Sequence, residues 1–250
     1  MLRPDTDRLW SFLRDRPELE GFVLVGGTAL TLRIGHRLSE DLDFMCGGVR
    51  LPKLRLDELV RAAGKSGFRF EENDDPTALD EFVNAGMELH DYQRDYLVDG
   101  KVKVSFFTAD EPHARVVRTD PEAPLRVASL DEIFKSKSLV TASRSKSRDA
   151  FDLFVLMRDH GFVIGDYLTA FHDAGVPMNW ETGLARLRAG RFSASDEGFD
   201  PLIENPPSLE EMTQFFHDQR DRLEADIAES SRRLPKSGED ASAPPTGSAN

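Results

Sequence analysis

One cysteine, Cys46, stands in 250 residues, so no disulfide can form within the chain. A reducing cytoplasm suits such a composition. The opening Met1-Leu2-Arg3-Pro4-Asp5 lacks the apolar core of a secretory signal, and every hydrophobic run is too short to span a bilayer. These absences make a cytoplasmic protein without a membrane segment the expectation. Six histidines (His36, His90, His113, His160, His172 and His217) show neither His-x-x-x-His nor Cys-x-x-Cys spacing, which argues against zinc. There is no Gly-x-x-x-x-Gly-Lys-Ser/Thr phosphate loop, no Gly-x-Ser-x-Gly elbow and no internal repeat.

Positive charge is also scarce. Lys and Arg total 32 against 45 Asp and Glu, a formal charge of −13. Non-specific nucleic-acid binding rests on phosphate neutralisation, so a general nucleic-acid binder is a poor fit. One local cluster departs from this: Lys135, Lys137, Arg144, Lys146 and Arg148. It reads either as a patch for one shaped RNA or as a solvated helix face. The chain is 39% hydrophobic, enough for one large domain or two small ones with real cores.

The richest segment runs from Val25 to Phe44 and reads as strand, glycine turn, short helix, polar loop and second strand. Gly26 and Gly27 let a backbone approach a phosphate closely. Thr28 can cap the helix and offer its hydroxyl to the same phosphate. Asp41 and Asp43, two apart on a strand, share one face. Two carboxylates that close repel unless a cation lies between them, and oxygen ligands select a hard ion. Magnesium, or manganese in its place, is therefore the expected metal, bridging a nucleoside triphosphate. The bland alternatives are an exposed edge strand and a tight turn without ligand. Arg37, in the intervening loop beside His36, can pair with a triphosphate, bond loop carbonyls or neutralise Asp41. Ser39 can cap or orient that loop.

A second constellation comprises Lys137, Arg144, Arg148, Asp149 and Asp152. Lys137 and Arg144 are two turns apart on one helix face, and Asp149 and Asp152 share a face of the next helix. Lys137 then contacts the triphosphate, while Asp149 or Asp152 holds it in place or touches base or acceptor. An Arg148–Asp152 pair within the helix is the plainer alternative.

The remaining pattern predicts helices over 7–15, 28–34 and 52–63, and strands over 22–25, 42–46 and 68–70. Asp99-Gly100 signals a hairpin between strands 92–98 and 101–107, with Lys101, Lys103, Ser105 and Phe107 on one face. From Ser129, which with Glu132 can form a capping box, the period turns helical: 129–143, 147–160, 167–173, 181–188 and a long charged helix to 233 opened by Ser208 and Glu211. The expected fold class is α+β, a mixed sheet with flanking helices followed by a mostly helical part. Expected boundaries are 1–115, a helical domain at 126–233 that completes the cleft, and a disordered tail at 234–250.

Gly26-Gly27-Thr28-Ala29-Leu30 with Gly35-His36-Arg37-Leu38-Ser39-Glu40-Asp41-Leu42-Asp43-Phe44 resembles the signature of the AbiEii/AbiGii-type nucleotidyltransferase toxins of the DNA polymerase β-like superfamily. The segment Lys137 to Arg144 followed by Arg148-Asp149-Ala150-Phe151-Asp152 resembles that family's second signature. The resemblance implies an active site in a cleft between sheet and helical domain. It implies transfer of a nucleotide from a triphosphate to an acceptor, the tRNA 3′ end in some relatives, opposed by a cognate antitoxin. It makes Asp41 and Asp43 metal ligands, Gly26, Gly27 and Thr28 the phosphate turn, and Lys137 the triphosphate contact. Asp149 and Asp152 become supporting carboxylates.

One departure stands out. Many superfamily enzymes carry a third carboxylate on a later strand, where this chain offers Ser105. Serine is no base at neutral pH. Either Asp149 or Asp152 takes that task, the metal-bound acceptor needs no base, or the chain is a catalytically impaired nucleotide-binding module that regulates a partner; the acidic surface adds a second rival, a nucleotidyltransferase that modifies a protein.

Overall fold

The computed structural model describes residues 2–192, 196 and 198–233, so the tail expected at 234–250 lies outside the described residues. In chain order the elements are α1 (Pro4–Leu13), β1 (Phe22–Val25), α2 (Gly26–Ile34), β2 (Leu42–Cys46), α3 (Lys53–Lys65), β3 (Phe70–Glu72), α4 (Pro76–Asn84), β4 (Gln93–Val98), β5 (Val102–Thr108), α5 (Glu111–Val116), β6 (Arg126–Val127), α6 (Leu130–Thr141), α7 (Ser147–Asp159), α8 (Ile164–Asp173), α9 (Trp180–Ala189) and α10 (Leu209–Arg233). No described helix is long and apolar enough to cross a membrane.

The six strands form one mixed sheet in the order β3-β4-β5-β2-β1-β6. β2 and β5 run parallel, as do β1 and β6; the other neighbours are antiparallel. Strand alternation divides the sheet into two faces. Phe22, Leu24, Phe44, Val104, Phe106 and Tyr96 belong to one face and are buried. Their rings interlock: Phe44 stacks on Phe106, Phe22 and Tyr96 meet Phe106 edge-on, and Trp10 of α1 stacks on Phe44. Rings in these geometries add to the stabilisation that area burial alone gives. Asp43, Ser105 and Asp95 lie on the opposite face. That face carries chemistry.

The strand register makes this assignment sharp. Asp43 pairs with Ser105, which pairs with Asp95; two residues along, Met45 pairs with Phe107, which pairs with Gln93. Asp99 and Gly100, both at positive φ, turn the β4–β5 hairpin that fixes this register. The Ser129–Glu132 capping box forms as its spacing implies and sets the start of α6. α6 packs on α7, α8 and α9, and also on α2 and α5, so the helical part leans on the sheet's chemical face.

Three elements were not read from the sequence: α4, α5 and β6. α4 buries no residue and α5 has only six residues, so neither shows a clear apolar stripe. β6 is two residues long and joins the sheet beside β1 by a parallel bridge, within the stretch assigned to the helical domain.

Candidate active site

A cavity of about 410 Å³ opens between the chemical face of the sheet and α6. Its floor is Val25, Asp43, Met45, Gln93, Lys103, Ser105 and Phe107. One face of α6 forms the wall through Ile133, Ser136, Lys137 and Val140, with Arg144 beyond the helix end. Gly26, at the first turn of α2, stands at the charged end.

Gly26 and Gly27 make room for this chain's own side chains. A Cβ on Gly26, which sits at φ +72°, would meet the Asp43 carboxylate. A Cβ on Gly27 would meet the Arg37 guanidinium. The glycine pair therefore fixes where Asp43 and Arg37 lie, besides opening the backbone at a helix N-terminus.

Asp43 is shaped for a cation. Burial and the neighbouring Asp41 push its carboxyl up to about 6, while Lys137, Lys103 and Arg144 pull only partly the other way. Asp41 immediately precedes β2 and is half-buried. Among the described residues no group of three or more His, Cys, Asp or Glu side chains gathers to hold a metal. Two carboxylates alone suit an ion that keeps waters and takes its other ligands from substrate phosphates, the usual habit of magnesium.

Lys137 is the hub of the opposite wall. It is 7% exposed, and its Nζ donates to Asp149 Oδ1 at 2.7 Å and lies 2.8 Å from Asp152 Oδ2. Arg144 adds two hydrogen bonds to Asp149, and Arg37 two to Asp152. His36 Nε2 donates to Asp152 Oδ1 at 2.7 Å, and burial lowers the basicity of its ring below the ordinary imidazole value. Burial alone would raise both carboxyls and lower the ammonium. The mutual charges reverse this, holding Asp149 low, Asp152 well below the usual carboxylate range, and Lys137 high. Asp149 and Asp152 thus hold the Lys137 ammonium in place between them.

Several sequence expectations are corrected here. Arg37 bonds a loop carbonyl, Leu38 O, as one of its alternatives had it, but its main partner is the buried Asp152 carboxylate, which none of them named. Thr28 makes no helix cap; its hydroxyl meets Ser39 Oγ at 2.7 Å and the Asp41 carbonyl. Thr28 and Ser39 thus orient the loop that delivers Asp41. Arg148 does not pair with Asp152; it reaches Gly198 O and Glu40. The cluster Lys135, Lys137, Arg144, Lys146 and Arg148 is no single patch, because Lys137 is inside and Lys135 pairs with Asp131 and Asp173.

Sequence reasoning also missed Gln93, Lys103, Asp95, Ser136 and His113. Alternation had placed Lys103, Ser105 and Phe107 on one face, but the partners across the hairpin needed the register. Asp95 is buried and accepts from Gln93 Nε2 at 2.8 Å, while its Oδ1 has no partner among the described residues. Ser136 Oγ is likewise shut from solvent without a partner.

Comparison with known proteins gives three findings. The sequence model of the family described as "Nucleotidyl transferase AbiEii toxin, Type IV TA system" matches residues 8–240. An uncharacterised protein of Aquifex aeolicus is 30% identical over 144 residues; the match covers 56% of this chain and 60% of that protein, so the chain spans less than two thirds of it. Among solved structures, JHP933 from Helicobacter pylori shares 21% identity at a TM-score of 0.46, over 92% of this chain and 100% of that one. MenT4, a nucleotidyltransferase toxin of Mycobacterium tuberculosis, shares 16% identity at a TM-score of 0.44, over 86% of each chain.

Proposed function

The chain belongs to the AbiEii family of nucleotidyltransferase toxins of toxin-antitoxin systems, and from that premise we propose that it transfers a nucleotide from a nucleoside triphosphate to the 3′ end of a tRNA. The observation that carries this reading is the pairing of Asp43 and Lys137 across one cavity, with the glycine turn at its end. The acceptor oxygen forms a bond to the α-phosphorus in line as the bond to pyrophosphate breaks. The acceptor's proton passes to water, since Ser105 stands where a third carboxylate would serve as base.

Asp41 and Asp43 would hold a magnesium or manganese ion, and the raised carboxyl of Asp43 fits that assignment, since burial and the neighbouring Asp41 outweigh the cations that face it. Such an ion, when bound, neutralises charge on the triphosphate oxygens. Lys103, Lys137 and Arg144 line the same end and stabilise the charge that grows on the leaving pyrophosphate. Asp149 and Asp152 keep the Lys137 ammonium fixed, so no reorganisation is needed as that charge develops. A small cognate antitoxin and a cytoplasmic location accompany this reading.

A protein acceptor is the second reading. The net charge of −13 and the internal pairing of Arg144 and Arg148 favour it, since a tRNA would meet no continuous cationic track at these residues. Incubating the chain with magnesium, α-labelled triphosphates, total RNA and cell protein separates the two by where the label lands. Label on neither, with wild type matching Asp43→Ala, would sink both.

A further inference from the structure

The basic residues around the α6–α7 turn are only partly used by the chemistry above. Residues 141–148 hold Arg144, Lys146 and Arg148 and no Asp or Glu; residues 186–192, at the end of α9, hold Arg186, Arg188 and Arg191 and no Asp or Glu. In a chain with 45 acids against 32 Lys and Arg, this is a local reversal of charge. The fold joins the two segments. Arg186 Nη1 donates to Thr141 O at 3.1 Å, and Ser145 Oγ donates to Arg191 O at 2.5 Å. Thr141, Arg144, Lys146 and Arg186 line one small recess. Arg144 also lines the charged end of the cavity, so the recess lies at the cavity's rim.

Two of these cations are committed elsewhere: Arg148 to Glu40 and Gly198 O, and Arg188 to His217. The other four form a collar. Lys146 and Arg191 are exposed and make no ion pair among the described residues. Arg144 bonds Asp149 yet keeps 49% of its side chain exposed, and half-buried Arg186 has a neutral carbonyl as its partner. The carboxylates bonded to this turn are Asp149, held by Lys137 and Arg144, and Asp196, which takes the Ser147 N–H. Neither pairs with Lys146 or Arg191. Lys146, Arg186 and Arg191 do not line the cavity, so these three stand outside the site that takes the triphosphate.

From this we infer that the collar of Arg144, Lys146, Arg186 and Arg191 binds the phosphodiester backbone of an RNA acceptor, just behind the 3′ end that enters the cavity. The inference rests on the nucleotide transfer proposed above and names which of its two acceptors the rim fits. Arg144 and Arg148 alone make no cationic track. Lys146, two residues and at most about 7 Å of chain beyond Arg144, extends the charge, and Arg186 and Arg191 widen it. A compact patch of this kind neutralises about three or four phosphates, and each releases counterions from the strand. Such contacts fix where the strand lies and read no sequence.

The test is binding of a short labelled single-stranded RNA with a free 3′ end to the full chain, between about 50 and 200 mM salt. For wild type the slope of log affinity against log salt should be about −2 to −3, the value for three or four phosphate contacts on a single strand. Lys146→Glu with Arg191→Glu, both at exposed positions, should flatten the slope to about −1 and weaken binding about ten-fold or more, while magnesium–triphosphate affinity stays unchanged. Lys146→Arg with Arg191→Lys keeps the charge and should bind as wild type does. The control for net charge is Arg61→Glu with Lys65→Glu on α3, a helix tied through Asp57 to Arg94 on the other face of the sheet; it should leave RNA affinity within about two-fold. An equal loss in the α3 variant, or unchanged binding after reversal at Lys146 and Arg191, overturns the inference. Wild type that binds magnesium–triphosphate but no RNA also overturns it, while leaving the triphosphate site standing. Binding of neither overturns the inference together with the reading it rests on.

Discussion

The Arg37 guanidinium holds the Asp152 carboxylate by two hydrogen bonds, Nε to Oδ1 at 2.8 Å and Nη2 to Oδ2 at 3.1 Å, across 115 residues of sequence. Both groups are buried, and Lys137 and His36 meet the same carboxylate. This knot ties the loop that delivers Asp41 to the helical wall of the cavity. Asp152→Ala takes from the buried Arg37 guanidinium the carboxylate that it faces and leaves Lys137 with Asp149 as its remaining carboxylate. Breaking a buried pair from one side costs about 3–5 kcal/mol, so its urea midpoint should drop sharply. A drop under about 1 kcal/mol would show that the knot is dispensable.

Gly27 and Gly64 form a matched pair of tests. Both lie in helices, where Ala for Gly usually stabilises by about 1 kcal/mol. Gly64→Ala meets open space and should raise stability by about that amount. Gly27→Ala drives a methyl into a guanidinium that Asp152 holds in place, so the sign should reverse, with a loss of about 1–3 kcal/mol. Thermal melting of the two variants side by side checks the contrast.

Acid should destabilise the protein through its low carboxyls. Burial raises the Glu132 carboxyl, but the Arg126 guanidinium and the backbone N–H groups of Ser129 and Arg118 outweigh it and bring it to about 2. The folded value lies below the ordinary 4.5, so this stabilisation is full above pH 4.5 and fades as pH falls toward 2. Asp149 and Asp152 act in the same direction. Glu132→Gln should lower stability at pH 7 by about 1–3 kcal/mol and flatten its slope between pH 4.5 and 2. An unchanged slope would contradict the ion-pair account.

Ser105 sits directly across β2–β5 from Asp43. A carboxylate there would crowd Asp43 further and offer a third oxygen ligand. Ser105→Asp should therefore bind magnesium more tightly in the presence of triphosphate, by about ten-fold, and lose stability in its absence. No gain in metal affinity would place the ion elsewhere.

The sequence made the glycine turn, the strand that carries Asp43, the hairpin and the capping box legible because each is a local pattern with its own geometry, while Asp41, read as part of that strand, lies just before it. The two signature segments also named the cavity's opposing walls. What escaped it depends on register and on long-range pairing. Arg37 in a polar loop looks available to a ligand until Asp152, more than a hundred residues away, is seen to claim it. Thr28 resembles a helix cap until Ser39 folds back on it. Gln93 and Asp95 join the site only because the hairpin sets them opposite Phe107 and Ser105.

The decisive measurement is transfer of α-labelled nucleotide to RNA or protein by the purified chain with magnesium, beside Asp43→Ala of equal fold. Wild type should label an acceptor and release pyrophosphate, and Asp43→Ala should fall by at least about a hundred-fold, the usual loss when a group that stabilises transition-state charge is removed. Equal transfer by the two proteins, or none by wild type across all four triphosphates, would contradict the assignment.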